Sequence, residues 1–297
     1  MLVRRFNSES NQSVDHLNIT DDSRFLIYSS DDFVLRTAGL LGGAFPRVKL
    51  RGHKAPIMGT VCYFEFNNTL LSIDQVGLVF LWELVEKDEE DLNQKGFKSL
   101  AGNKINKIEE ESSVAEIQHL SELEKKFMNS RFILKTKKLL FQEKTQIDLL
   151  SVSKNKEHMT VAFKNKSFGI YRLNVFDEEE LIKCLVTFRK EESLGTVLNL
   201  KMHPTRPIIA FGDTKESLVL WDWKSKTYLL KQKALGETVS SIAFSQQNEF
   251  VAVGDSFGNV KIFHFKSLLN IVTFSEATAK ITGLRYLFSL TCTYLLL

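Results

Sequence analysis

The sequence has few of the features by which a secreted, metal-binding or membrane protein is recognised. It has only three cysteines, Cys62, Cys184 and Cys292, and they form no CxxC pair. We therefore expect neither a zinc site nor a disulfide framework, and a reducing compartment fits best. The most apolar stretch, Ile281 to Leu297, is interrupted by Arg285. Its uncharged part is shorter than the roughly 20 residues of a membrane span, so we interpret it as a core strand.

The sequence also has little excess of charge and no recognisable ligand motif. Charged residues make up 25% of the chain, yet the formal net charge is only +3, which excludes the strongly basic surface that nonspecific nucleic-acid binding needs. No histidine pair has metal-binding spacing, and no glycine-rich phosphate-binding motif is present. We therefore expect no metal, no cofactor and no small-molecule substrate.

One short motif, Gly254-Asp255-Ser256-Phe257-Gly258, matches the G-x-S-x-G pattern of serine hydrolases. In hydrolases the serine lies on a sharp turn between a strand and a helix. Here the motif is followed by NVKIFHF, residues 259–265, whose alternation indicates a strand. We therefore place Ser256 in a β-hairpin and keep a hydrolase only as an alternative.

What the sequence does have is an internal repeat of 42 residues. From Val197 the chain reads VLNLKMHPTRPIIAFGDTKESLVLWDWKSKTYLLKQ, and from Val239 it reads VSSIAFSQQNEFVAVGDSFGNVKIFHFKSLLNIVTF. Trp221 and Phe263 occupy the same place in the two copies. A period near 40 residues with four short strands in each copy is typical of the blades of a β-propeller.

The same order of strands and turns can be traced in three further segments, so about five blades are recognisable. We predict an all-β fold, a WD-repeat β-propeller that is incomplete, with blades in residues 11–84 and 147–297, the latter including the start of a further blade. Between them, residues 85–146 form a polar insertion with two acidic runs, 86–91 and 109–111. Apolar residues from Val114 to Phe127 recur at helical spacing, which leaves open a charged surface loop or a helix that docks a partner.

The blades resemble those of WD-repeat proteins, in which a loop histidine, a strand serine or threonine, a hairpin aspartate and a strand tryptophan form a buried hydrogen-bond relay. Gly52-His53, Ser72 and Trp82 match that pattern. Val76, however, stands directly before Gly77, where the family's aspartate is expected, so we expect the relay to be incomplete. The remaining repeat markers are the hairpin acid Asp32, which we regard as the only one kept, the dipeptide Trp221-Asp222, and Phe263.

Three longer segments resemble the periodic tryptophan protein 2 family: TDDSRF at 20–25, LVLWDWKSKTYLLKQ at 218–232 and NIVTFSEATAKIT at 270–282. The similarity runs from about Asn11 to about Leu287 and covers the middle and end of that family's first propeller. The sequence departs from the family at Ala234-Leu235 and at Ala277, and its divergent end suggests a truncated or incomplete product.

This resemblance implies a non-catalytic scaffold in the nucleolus. It would assemble the small-subunit processome on precursor ribosomal RNA and support 18S rRNA maturation. Its partners would be other WD-repeat subunits, with pre-rRNA and small nucleolar RNA met directly or through the complex, and no membrane. The alternatives are a WD-repeat adaptor in vesicle coat assembly or ubiquitin ligation, and a propeller hydrolase using Ser256.

Overall fold

The computed structural model shows an all-β protein. The residues that it describes are 13–20, 25–40, 48–64, 69–86, 130–140, 145–189, 191–192, 194–233, 236–245, 247, 249–288 and 293–296. Every regular element in these ranges is a β-strand. Within the same residues no helix is long and apolar enough to cross a membrane.

The chain divides into two compact units, residues 1–142 and 143–297. The first unit contains two four-stranded antiparallel sheets, which we call blade 1 and blade 2. The strands of blade 1 are β1 Val14–Ile19, β2 Phe25–Ser30, β3 Leu35–Gly39 and β4 Val48–Leu50. The strands of blade 2 are β5 Ile57–Tyr63, β6 Thr69–Asp74, β7 Leu78–Glu86 and β8 Ser130–Leu139.

The second unit contains three more four-stranded sheets and a two-stranded one. Blade 3 comprises β9 Ile147–Val152, β10 His158–Phe163, β11 Ser167–Leu173 and β12 Ile182–Arg189. Blade 4 comprises β13 Val197–Met202, β14 Ile208–Asp213, β15 Ser217–Asp222 and β16 Thr227–Lys233. Blade 5 comprises β17 Val239–Phe244, β18 Phe250–Asp255, β19 Val260–His264 and β20 Asn270–Phe274, and the hairpin β21 Arg285–Phe288 with β22 Thr293–Leu296 follows it.

Burial follows the position of a strand within its blade. The second strands β2, β6 and β14 are buried at every position, whereas the fourth strand β12 alternates between partly buried and exposed residues. A strand covered on both faces is mostly apolar, and its buried polar side chains need hydrogen-bond partners, while a strand with one solvent face alternates. This difference explains why the second strands are largely apolar in the sequence.

A shared turn joins the second and third strands of every blade. The third residue after the end of each second strand has a positive φ angle: Phe33, Gly77, Lys166, Glu216 and Gly258. Left-handed backbone at this position is typical of short hairpin loops built on a type I turn. The five hairpins therefore share a left-handed residue at the same place even though their turn sequences differ.

Within each unit, neighbouring blades are linked through their first strands. Asn18 Nδ2 donates to the carbonyl oxygen of Thr60 at 3.1 Å, and Asn199 Nδ2 donates to that of Ser240 at 3.3 Å. Ser240 Oγ in turn donates to the carbonyl oxygen of Ile281 at 2.6 Å. Each link spans about one repeat, so Ile281 stands where the first strand of a further blade would begin.

The all-β fold and the five recognisable blades are confirmed. The boundary of the insertion was wrong on its carboxyl side, because β8, which lies inside residues 85–146, pairs along β7 from Leu78 to Glu86 and completes blade 2. A fourth strand was missed there because it stands far from its partner in sequence. The segment from Val114 to Phe127, for which a charged surface loop and a docking helix were left open, and the second acidic run, 109–111, lie outside the described residues.

Candidate functional site

A buried hydrogen-bond relay crosses blade 2. Trp82 Nε1 donates to Ser72 Oγ at 2.9 Å, and Ser72 Oγ lies 2.7 Å from His53 Nε2. On the other side of the ring, His53 Nδ1 lies 2.9 Å from Asp74 Oδ2. If Nδ1 carries the proton, the hydroxyl of Ser72 donates to Nε2 and every polar atom of the relay has a partner. The side chains of both His53 and Asp74 are fully buried.

The loop before β5 brings His53 into this relay because Gly52 precedes it. Gly52 has a φ of +148°, and a Cβ at that position would lie 2.4 Å from Cε2 of Phe80. The ring of Phe80 stacks on that of His53 with 4.3 Å between centroids. Only glycine lets the loop approach Phe80 closely enough for this stacking, which accounts for the Gly-His pair.

The prediction that the relay is incomplete was wrong, because Asp74 and not residue 76 supplies its carboxylate. Asp74 is the last residue of β6, and its Oδ1 accepts hydrogen bonds from the backbone N–H groups of Val76 and Leu78 at 3.2 and 2.9 Å. The carboxylate thus also closes the hairpin. The aspartate was expected at residue 76, directly before Gly77, and was therefore missed. An alignment of the ends of the second strands would place it at residue 74.

Two more aspartates occupy the same place, so Asp32 is not the only hairpin acid. Asp213 and Asp255 end β14 and β18, are fully buried, and accept backbone hydrogen bonds across their hairpins as Asp74 does. Their second oxygens bind other donors: Gly195 N at 2.7 Å for Asp213, and Asn259 Nδ2 at 2.7 Å for Asp255. The buried acid is therefore kept in blades 4 and 5 with other partners in place of histidine.

Asp32 lies in a different setting in blade 1. It stands two residues beyond the end of β2, accepts a hydrogen bond from Val34 N at 3.2 Å and forms an ion pair with Arg36. The hydrogen bond from Arg36 holds the pKa of the Asp32 carboxyl below its usual range. The last residue of the second strand, which is a buried aspartate in blades 2, 4 and 5, is the buried Ser30 in blade 1. Asp32 therefore closes its hairpin through a partly exposed salt bridge.

The other marker residues have packing and turn roles. Trp221 and Phe263 lie opposite Ile209 and Val251 in register, the place that Trp82 has opposite Leu70. Both rings are buried, and Trp221 packs on Phe188 with 3.8 Å between centroids. Asp222 caps the next turn by accepting hydrogen bonds from Lys224 N and Ser225 N.

Ser256 lies in the hairpin turn between β18 and β19, as predicted from the alternation after it. Its Oγ accepts a hydrogen bond from Thr238 Oγ1 at 3.0 Å. A nucleophilic serine needs a base within hydrogen-bond reach, and threonine is not a base. Among the described residues, no three His, Cys, Asp or Glu side chains form a group that could hold a metal ion.

The sequence profile described as Anaphase-promoting complex subunit 4 WD40 domain matches residues 200–288, which comprise most of blades 4 and 5. Periodic tryptophan protein 2 from Arabidopsis thaliana is 23% identical over 96% of this chain and 34% of its own length. The Caenorhabditis elegans homolog is 28% identical over 93% of this chain and 29% of its own. This chain is similar to periodic tryptophan protein 2. It is also similar to the mouse homolog, which is 25% identical over 86% of the chain and 28% of its own length.

The resemblance predicted from three segments is therefore confirmed over most of the chain. The chain spans about a third of the length of the curated relatives that it matches. Together, the WD40 profile and the four-stranded antiparallel sheets establish a partial WD-repeat propeller. The departures at Ala234-Leu235 fall outside the described residues. At Ala277 the backbone carbonyl packs against Gly258.

Proposed function

We propose that this protein is a non-catalytic scaffold in the biogenesis of the small ribosomal subunit. The observation that carries the proposal is its similarity to proteins named periodic tryptophan protein 2 in plant, nematode and mouse over most of the chain. Because these relatives are about three times as long, any role of the whole protein extends beyond the blades described here.

The proposed work is assembly of the small-subunit processome on precursor ribosomal RNA in the nucleolus, in support of 18S rRNA maturation. Other WD-repeat subunits would be bound directly, and pre-rRNA and small nucleolar RNA directly or through the complex. The low net charge of +3 favours protein contacts as the main source of affinity, because RNA binding by charge alone needs many unpaired cations.

The rigid elements of the structure support a binding role. The relay and the buried hairpin acids hold the hairpins of blades 2, 4 and 5 by hydrogen bonds, while the outer strand of blade 5 leaves apolar side chains in solvent. On β20, Ile271 and Phe274 are 52% and 41% exposed, and Leu269 beside them is 68% exposed. Exposed apolar residues grouped on a rigid sheet are typical of protein-binding surfaces.

Affinity purification tests the proposal. The chain would be tagged and expressed in eukaryotic cells, and the recovered proteins and RNA would be identified after washes at rising salt. We expect processome subunits together with precursor rRNA that contains the 5′ external spacer, and fluorescence of the tagged chain in the nucleolus. Recovery of vesicle-coat or ubiquitin-ligase components instead would reject the proposal and leave the fold unchanged.

A further inference from the structure

The fourth strand of blade 5, β20, is an edge strand. Its backbone pairs with β19 alone, from Asn270 opposite Phe263 to Phe274 opposite Val260. Within the described residues, no other backbone hydrogen bond reaches residues 270–274. An edge strand presents a row of backbone N–H and C=O groups on its outer side, and these groups can pair with a strand from another chain.

β20 differs from the fourth strands of the other blades because it carries no charge. The others each contain a lysine: Lys49 on β4, Lys137 on β8, Lys183 on β12 and Lys231 on β16. Lysine on an edge strand opposes pairing with another chain, since its charge would lie against the incoming strand. The sequence of β20, NIVTF, has neither a charged residue nor a proline. Among the five described blades, the edge of blade 5 is therefore the least protected against pairing.

The side chains of β20 add apolar surface beside this edge. All five residues of the strand are exposed, and three of them, Ile271, Val272 and Phe274, are apolar. Val272 and Phe274 are two residues apart and so lie on one face of the sheet. A strand added to the edge would cover part of these side chains. Burial of apolar surface would therefore stabilise the pairing together with the backbone hydrogen bonds.

The charges at the two ends of β20 indicate which strand fits this edge. The nearest charged residue before the strand is Lys266, and the nearest after it is Glu276. Both residues are exposed. In an antiparallel pair of two β20 strands, the start of each strand lies beside the end of the other. Lys266 of each copy would then lie near Glu276 of the other, whereas a parallel pair would bring like charges together.

We propose that β20 pairs antiparallel with β20 of a second copy of this chain, so that the two blade 5 sheets become one continuous sheet. A two-fold axis lets the same edge serve both copies, and one strand sequence then provides both halves of the contact. Two short strands bury little surface. The dimer is therefore weak and depends on concentration, as is typical of interfaces below about 1,200 Å². This inference goes beyond the proposed function, and its test needs no other protein.

Sedimentation equilibrium of the purified 297-residue chain tests the pairing. We expect the measured mass to rise with protein concentration from 34.0 kDa towards twice that value. Ile271→Lys places a positive charge from each copy at the paired edge and should weaken the dimer roughly tenfold. Leu229→Lys, at an exposed position on the fourth strand of blade 4, is the matched control and should leave the dimer unchanged. Circular dichroism should show that both variants are folded.

Exchange of the flanking charges tests the antiparallel arrangement. Lys266→Glu and Glu276→Lys each leave like charges at both ends of the pair, and each should weaken the dimer roughly threefold at low salt. The double variant has opposite charges again and should recover the dissociation constant of the parent. The differences among these proteins should shrink at high salt, because exposed charges are screened.

Hydrogen exchange measured by mass spectrometry locates the contact. At concentrations where the dimer prevails, residues 270–274 should exchange more slowly than in dilute protein, while residues 227–231 of β16 should not change. A chain that stays monomeric, a dimer that persists in Ile271→Lys, or a double charge variant that does not recover would overturn the proposal. So would slow exchange of β20 only in purified complexes, since the occupant would then be another protein. None of these results depends on the recovery of processome subunits.

Discussion

His53 and Asp74, 21 residues apart in the sequence, meet with 2.9 Å between Nδ1 and Oδ2 in the interior of blade 2. The contact joins the loop before β5 to the end of β6, and through Ser72 it reaches Trp82 on β7. Two strands and a loop are therefore held by one chain of hydrogen bonds. Such a buried network stabilises only when it is fully paired.

Replacing Asp74 should show how much the relay contributes. Asp74→Ala removes the acceptor of the buried His53 Nδ1 and of two partly buried backbone N–H groups, and should lower the free energy of unfolding by about 3–5 kcal/mol. Asp222→Ala, at a partly exposed turn, should cost about 1 kcal/mol. Urea unfolding followed by circular dichroism measures both. Equal losses would mean that the relay adds nothing beyond turn capping.

Ser72 and Trp82 should be energetically coupled. Ser72→Ala leaves the indole N–H of Trp82 without its acceptor, whereas Trp82→Phe removes that donor. A double-mutant cycle on unfolding free energies should therefore give a coupling of about 1–3 kcal/mol. The pair Ser72→Ala and Trp221→Phe, which share no partner, should be additive. Additivity in the first cycle would show that the 2.9 Å contact does not contribute to stability.

Acid should destabilise the second unit through His203. Burial, with a smaller contribution from Arg206, lowers the pKa of this ring from 6.5 to about 4. The unfolded chain therefore binds the proton more readily between these values. The stability that neutral His203 contributes is complete above pH 6.5 and is lost as the pH falls towards 4, by up to about 2 kcal/mol at pH 5.

His203→Asn is the matched variant for this pH dependence. An asparagine Oδ1 can accept the same backbone hydrogen bonds in an Asx turn, and it does not titrate between pH 4 and 7. Unfolding free energies at pH 7 and pH 5 should therefore differ less in the variant than in the parent. His16, whose pKa burial also lowers to about 4, titrates in both proteins. If the unfolding free energies at pH 7 and pH 5 differ by the same amount in the variant and in the parent, His203 is not a source of the pH dependence.

Gly258 should tolerate no side chain. Its φ is +95°, and a Cβ would lie 2.2 Å from the carbonyl oxygen of Ala277. Gly258→Ala should therefore cost at least about 2 kcal/mol, the sum of left-handed strain and a backbone clash. Gly283→Ala, where a Cβ would meet nothing within 4 Å, is the control. Thermal unfolding of the two variants distinguishes them, and similar midpoints would argue against the close approach of Ala277.

Ile281 should anchor the segment that follows blade 5. Its side chain is 5% exposed and packs against Gly254, where a Cβ would lie 2.7 Å from its Cγ2. Ile281→Ala should cost about 2–4 kcal/mol, and Ile271→Ala, at an exposed position on β20, less than about 0.5 kcal/mol. Hydrogen exchange should report faster opening near Ile281 in the first variant. A loss no larger than that of Ile271→Ala would show that the segment does not dock on blade 5.

The sequence alone determined the blade repeat, because its evidence is periodic. The chain repeats itself every 42 residues, and each copy contains a largely apolar second strand. Trp221 and Phe263 stand at the same position of the two copies in the sequence and in the folded blades, so the fold was predictable from one chain. Ser256 was placed in a hairpin correctly for the same reason, since alternation after it indicates a strand.

Only the tertiary structure decided which side chains meet. Asp74 was missed because its role depends on where β6 ends and on the hairpin that follows, and β8 was missed because 43 residues separate it from β7. The burial of His203 has no signature in the sequence. Packing brings its ring against those of Phe244 and Phe265 and excludes water from it, and burial is a property of the folded chain.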